Sequence, residues 1–377
     1  MPEGASLTES ELSRYSRHLV LPEVGTEGQL RLKGSSALVV GCGGLGTPAA
    51  VYLASAGVGM IGLVDGDVVE LPNLQRQFLY SEADMGRSKA HVLKERLHQV
   101  NPNVRAVPYA LKLDSGNALD LIGEYDVVID ATDNLPARYL VNDACVLLGK
   151  PDVHASALGF GGQISVFHPP GGPCYRCLYP EPPSPEHVAS CEEAGVMGVV
   201  PGVLGTLQAN QAIGLLLGKG SQLIGRLLVF NGFDSSFDEV RVKRDVGCRL
   251  CGANPTITSL IDYDEFCGTR GQRGTDVSPP ELKSMMSKGE ELLLLDVREP
   301  REYSLCHLDG AKLMPLETLP RKLAELDRAK TIVVYCHVGV RSGAAVSYLR
   351  KEGFHALNLE GGIDAWAVQV DQTTPRY

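Results

Sequence analysis

The chain has 377 residues, 44% of them hydrophobic and 21% charged, and a formal net charge of −10. That length and composition predict two or three folded domains of an ordinary globular protein rather than a disordered chain. The negative balance argues against nucleic acid as a direct partner, because phosphate binding needs a basic face.

The N-terminal stretch "MPEGASLTESELSRYSRHLVL" has no apolar core of a signal peptide, and no run approaches the ~18 apolar residues of a membrane span. The longest, "GVMGVVPGVLGTL" at 195–207, stops at Gln208. A cytoplasmic protein with no membrane partner is therefore expected. In that compartment the ten cysteines point to metal, catalysis or packing rather than to disulfides.

Thr8-x-x-Glu11 reads as a capping box, and Leu12, Tyr15 and Leu19 follow at helical spacing. "SALVVGCGGLGTPAAVYLASAG" then reads as strand, Gly-rich turn and helix, and "MIGLVDGDVV" as the next strand. A helical stretch over 88–100 precedes two more strands, "RAVPYAL" and "YDVVIDATDN", so a parallel, helix-flanked sheet is predicted. Past residue 150 the pattern is mixed, with "GGQISVFHP" strand-like and "VLGTLQANQAIGLLLG" a buried helix. Polar, Gly- and Thr-containing residues 254–277 read as a linker between a domain over 1–253 and a smaller one over 278–377. In the latter, "ELLLLDVRE", "TIVVYC" and "HALNLEGG" alternate with helical segments, which predicts a second α/β domain.

Gly41-Cys42-Gly43-Gly44-Leu45-Gly46 fits G-x-G-x-x-G between a strand and a helix. Glycine is needed where backbone turns tightly and approaches phosphate, and the helix N-terminus supplies amides. Asp65 ends the second strand, where a ribose-binding carboxylate belongs. These features alone leave NAD and ATP, and with NAD a dehydrogenase, open.

The residues that follow are more specific. "DGDVVELPNLQRQ" at 65–77, Gly86-x-x-Lys89 and "DATDN" at 130–134 resemble the MoeB/ThiF superfamily, bacterial relatives of ubiquitin-activating enzymes, through most of residues 1–253. The resemblance implies a Rossmann-like domain that uses ATP and Mg2+ to adenylate the C-terminal glycine of a ubiquitin-fold sulfur-carrier protein ending in Gly-Gly. It implies that Gly41, Gly43 and Gly44 lie against the phosphates and Asp65 binds the ribose. Asn73, Arg76 and Lys89 would contact phosphate, and Asp133, beside Asn134, would hold magnesium. Arg17 stands where the family has an arginine that crosses a homodimer interface into the neighbouring ATP site.

Cys174-x-x-Cys177 and Cys248-x-x-Cys251 supply four thiolates, a set that suits a closed, structural Zn2+ site, and they match the family's zinc pairs. Cys191 stands where the family has a cysteine that forms a thioester or mixed disulfide with the activated carrier; a loop thiol without a role is the plain alternative.

Cys336 ends the strand "TIVVY", ahead of a helix expected from about Ser342. Backbone amides of the intervening loop and the charge of Arg341 favour a nucleophilic thiolate or a persulfide there. "LLLDVREPREYSLCHLDGA" at 293–311, "CHVGVRS" at 336–342 and "EGGIDAW" at 360–366 resemble a rhodanese domain, which carries sulfane sulfur on such a cysteine. Cysteine phosphatases share a related fold, but their loop has five residues between Cys and Arg against four here. Cys306 stands where the rhodanese family usually has glycine, either as another small residue or as an exchanging thiol, and Cys267 has no assigned role.

The two resemblances together imply adenylation of a carrier followed by sulfur transfer from Cys336, with a cysteine desulfurase or thiosulfate as donor. The catalytic set is then Cys336, Cys191, Arg76, Lys89, Asp133 and Arg341. Alternatives are a conjugating enzyme with a Cys191 thioester, an NAD-dependent oxidoreductase and a noncatalytic scaffold.

Overall fold

Short apolar strands between helices build two α/β units. The structure, a computed structural model, describes residues 6–167, 171–183, 195–221, 223–267 and 275–377. The first unit holds an eight-stranded sheet. Its strands are β1 (Ser36–Val40), β2 (Met60–Val64), β3 (Arg105–Tyr109), β4 (Val127–Asp130), β5 (Asp152–Leu158), β6 (Gly161–Phe167), β7 (Arg226–Asn231) and β8 (Ser236–Arg241). They lie in the order β3-β2-β1-β4-β5-β6-β7-β8.

From β3 to β5 the pairing is parallel, and from β5 to β8 antiparallel. β1 is buried at every position, as an apolar strand covered on both faces must be. The chain order reverses between β1 and β4, and a crevice opens at their carboxyl ends, the usual ligand position in such a sheet.

The helix Val199–Leu216 has the length and hydropathy of a membrane span, which the interruption at Gln208 argues against. Its packing agrees with the latter. Val200, Leu204, Gln208, Ala209 and Ala212 are buried, and Gln208 Nε2 donates to Asp130 O at 2.7 Å and Val153 O at 2.8 Å, so this helix lies on the sheet.

The second unit, Asp264–Tyr377, holds a five-stranded parallel sheet in the order β11-β10-β12-β13-β9. These strands are β9 (Asp276–Val277), β10 (Leu292–Asp296), β11 (Lys312–Leu313), β12 (Thr331–Tyr335) and β13 (Ala356–Leu359). Along β12, Ile332 and Val334 join one apolar cluster while Val333 and Tyr335 join another, so both faces are covered.

Several boundaries differ from the sequence reading. The Thr8–Glu11 capping box forms, but the helix it starts ends at Arg14 and a separate turn covers Ser16–Leu19. The expected linker is partly built into both units: Tyr263 Oη donates to Asp143 Oδ2 at 2.8 Å, Ser115 Oγ to Ile261 O, and β9 forms the edge of the second sheet. A two-residue strand is too short to show alternation. The helix after Cys336 begins at Val340, two residues before Ser342, because Gly339 takes a φ of 93° and turns the chain early.

Candidate functional site

The turn after β1 is shaped by glycines that no other residue replaces. Gly41 has a φ of 95°, and a Cβ there would lie 2.6 Å from Ala131 O; one on Gly46 would lie 1.8 Å from Gly41 O. Gly46→Ala is therefore expected to spoil the turn and lower the melting temperature measured by calorimetry, since backbone atoms cannot step aside cheaply.

The turn opens onto a cavity of about 560 Å³ at the β1–β4 crevice. Gly41, Gly43, Gly44, Asp65, Asn73, Arg76, Lys89, Asp133 and Asn134 all line it. Arg17 does not: it is exposed on the turn Ser16–Leu19, outside the cavity of its own chain.

Asp65 accepts from the N–H of Cys42 at 2.7 Å and of Asp67 at 2.8 Å, which fixes both its oxygens. Burial pushes its carboxyl upward, against the pull of Lys89 and these two amides. Lys89, 6% exposed, donates from Nζ to Asp67 Oδ2 at 2.9 Å. Burial opposes its charge, but Asp65, Asp67 and Asp133 outweigh that and raise it above the ordinary lysine value. Lys89 is a fixed cation in the cavity wall.

Asn134 caps the helix Leu135–Leu148 by accepting from Ala137 N–H at 3.0 Å, and its Nδ2 donates to Asp133 Oδ1 at 3.2 Å. It orients Asp133, whose carboxylate faces the cavity. Asn73 Oδ1 accepts from Glu70 N–H at 3.3 Å, and Arg76 donates to Pro72 O at 3.0 Å, so their loop holds itself in place. Sequence reasoning missed Lys112 and Arg138, single polar residues outside a recognised motif, and passed over Gln77 at the end of the 65–77 motif; all three also line the cavity.

The four paired cysteines converge. Their sulfur atoms lie within 4.8 Å of one another, with Cys174–Cys177 at 3.9 Å, Cys174–Cys248 at 3.7 Å and Cys177–Cys251 at 3.4 Å. A tetrahedral metal with bonds near 2.3 Å needs sulfurs roughly 3.8 Å apart, so the set fits zinc. Cys191 lies outside the described residues.

In the second unit Cys336 is fully buried at the end of β12. Gly339 N–H donates to its Sγ at 3.1 Å and Ser342 Oγ at 3.4 Å, so loop amide and helix hydroxyl both serve the sulfur. Arg341 is bound bidentately by Glu302 at 2.8 and 2.7 Å, a pair that offsets the charge expected beside the sulfur. Neither Glu302 nor Ser342 stood out in the sequence. Cys306 is buried and donates to Pro375 O at 3.3 Å, and Cys267 is buried too.

Residues 15–250 match the ThiF family, and residues 278–369 the rhodanese-like domain. The chain belongs to the ThiF family. Among relatives of this ThiF protein, the adenylyltransferase/sulfurtransferase MoeZ of Mycobacterium tuberculosis is 44% identical over 99% of this chain and 97% of its own. The adenylyltransferase and sulfurtransferase MOCS3 of Sus scrofa is 44% identical over 100% and 90%. The crystal structure of E. coli MccB with ATP is similar at a TM-score of 0.57 and 25% identity, over 65% of this chain and 75% of that one.

A ThiF domain joined to a rhodanese domain, alike along nearly the whole chain to such relatives, makes this an adenylyltransferase and sulfurtransferase. Use of ATP fits that family, and the oxidoreductase and scaffold readings fall away.

Proposed function

We propose that this enzyme adenylates the C-terminal glycine of a ubiquitin-fold sulfur carrier ending in Gly-Gly and converts it to a thiocarboxylate with sulfur held on Cys336. The observation that carries the reading is one chain holding both a cavity with a fixed cation opposite an acidic loop and a buried thiol ringed by donors. In the first step the carrier carboxylate attacks the α-phosphorus of ATP and pyrophosphate leaves. Lys89 and Arg76 offset the charge that accumulates, and Asp65 orients the ribose. Magnesium at Asp133 would add Lewis-acid stabilisation of the phosphate oxygens. Arg17 is assigned to the ATP site of the partner in a cytoplasmic homodimer.

In the second step the Cys336 thiolate takes sulfane sulfur from its donor, a cysteine desulfurase or thiosulfate. With thiosulfate the S–S bond breaks and sulfite leaves. The terminal persulfide sulfur then attacks the acyl-adenylate carbonyl, and AMP departs with the bonding electrons. Cys191 attacks the Cys336 sulfur of the resulting acyl disulfide, which releases the thiocarboxylate. A Cys191–Cys336 disulfide is left for a cellular dithiol to reduce.

The test is to incubate the enzyme with ATP, magnesium, thiosulfate and each Gly-Gly-ending ubiquitin-fold protein of its genome, and to weigh the intact carriers. An oxygen-to-sulfur exchange supports the reading. AMP formation without sulfur gain, in the presence of a sulfur-loaded Cys336, overturns it in favour of a Cys191 thioester used for conjugation.

Cys174, Cys177, Cys248 and Cys251 would hold zinc in a structural role, because four protein ligands leave no position for substrate. The purified enzyme is expected to contain one zinc per chain by elemental analysis. Its removal with a strong chelator should lower the melting temperature by on the order of 10 °C. An unchanged melting curve after complete metal removal would rule the role out.

A further inference from the structure

Residues 371–377 are tied to the elements around the Cys336 loop, and Tyr377 reaches the loop itself. Asp371 turns the chain by accepting from Thr373 N–H at 3.1 Å and Thr374 Oγ1 at 3.1 Å. Pro375 O accepts from Cys306 Sγ, and Arg376 pairs with Asp364 at 2.7 and 3.0 Å. Asp364 opens the helix Gly362–Gln369, and its own N–H donates to His337 O at 3.1 Å. The segment thus grips the helix that braces the loop.

Tyr377 makes the decisive contacts. Its ring stacks on His337, the residue after Cys336, with centroids 4.4 Å apart and planes 10° from parallel. Its hydroxyl accepts from Arg298 Nη1 at 2.6 Å and donates to Glu302 Oε1 at 3.2 Å. Glu302 Oε1 is also an oxygen that holds Arg341. Arg298 is in turn locked on Asp296, both fully buried, which makes the hydroxyl's anchor rigid. One side chain therefore restrains two polar residues of the loop, His337 directly and Arg341 through Glu302.

We propose that Tyr377 is a positioning residue of the sulfur-transfer site, holding the Cys336 loop in the shape that takes sulfur from an anionic sulfane donor. This rests on the reading that Cys336 carries a persulfide. Without Tyr377 the His337 ring loses its stack and the carboxylate that holds Arg341 loses a donor, so the loop amide that serves the sulfur is held less firmly. The ring also helps cover the loop from solvent.

Tyr377→Ala and Tyr377→Phe in the full-length enzyme test this with two readouts. The first is sulfur transfer from thiosulfate to cyanide, resolved into kcat and KM. The second is the rate at which iodoacetamide modifies Cys336, followed by peptide mass. The alanine variant should lose about tenfold in kcat/KM for thiosulfate while Cys336 alkylation speeds up severalfold, because misplacing a reacting group costs rate even as access opens. Phenylalanine keeps the stack, so it should restore slow alkylation and recover part of the transfer rate. General loss of folding would give the same opposite movements, since Cys336 is fully buried, so each variant is read only where its melting curve matches the parent's.

Arg376→Ala, which removes the pair to Asp364, should shift both readouts in the same directions to a smaller degree, and decides the matter if Tyr377→Ala does not fold. Variants that match the parent in both readouts overturn the proposal. If the parent enzyme itself gains no sulfur on Cys336 from thiosulfate, the persulfide reading has failed instead.

Discussion

Replacing Cys336 by alanine is expected to lower carrier thiocarboxylate formation by about 10³-fold or more, because loss of a covalent nucleophile leaves no alternative route for the group it carries. Carrier-dependent exchange of pyrophosphate into ATP should stay near the parent rate, since that chemistry belongs to the cavity of the first unit. The change is small in volume. It leaves Gly339 N–H and Ser342 Oγ without the sulfur they serve, at a cost of about 1 kcal/mol, so the fold should survive. Intact-mass measurement of the carrier and the exchange assay, run side by side, decide the point. A thiocarboxylate yield equal to the parent's would remove Cys336 from the reaction.

Lys89→Ala is expected to produce the mirror image. Adenylation should fall by roughly 10²–10³-fold, the usual loss when a preorganised charge is removed from a site where negative charge develops. Sulfur loading of Cys336 from thiosulfate should be untouched. Lys89→Arg should not rescue, because the position is 6% exposed and its ammonium makes a single close contact with Asp67 that a planar guanidinium does not reproduce. The direction of its titration gives a second check. A lysine raised by neighbouring carboxylates adds stability that is present below the unfolded value and is lost as pH rises through the folded one. Its cationic role should therefore persist throughout neutral and mildly alkaline solution. Exchange activity that fell near pH 8 in step with Lys89 deprotonation would contradict the arrangement around it.

Much of this was legible where local chemistry and periodicity coincide. β1, β2 and β4 are continuous apolar runs ending in Gly41, Asp65 and Asp130, so the parallel sheet, its glycine turn and its acidic loop could be read together. The cysteine pairs were equally readable because metal spacing is written in sequence. β5 buries Asp152 and His154 along with its apolar residues, so its polar positions disguise a core strand, and β8 is exposed at every position, which removes the one-sided burial that marks a half-buried strand. The Arg341–Glu302 pair joins residues 39 apart, and Tyr377 reaches Glu302 over 75. No local pattern encodes such contacts. Motif reasoning accordingly found the sulfur and the cation but not the carboxylate and ring that hold them.

The outermost position of β8 has a consequence for colloidal behaviour. A terminal strand offers a row of backbone donors and acceptors to any extended segment that drifts against it, and here Phe237 and Val240 add apolar surface. Asp238, Glu239 and Arg241 interleave charges of both signs along the same few residues. A second copy seeking to extend the sheet in register would have to press like charges together, so the margin that could template fibrils is guarded by its own composition.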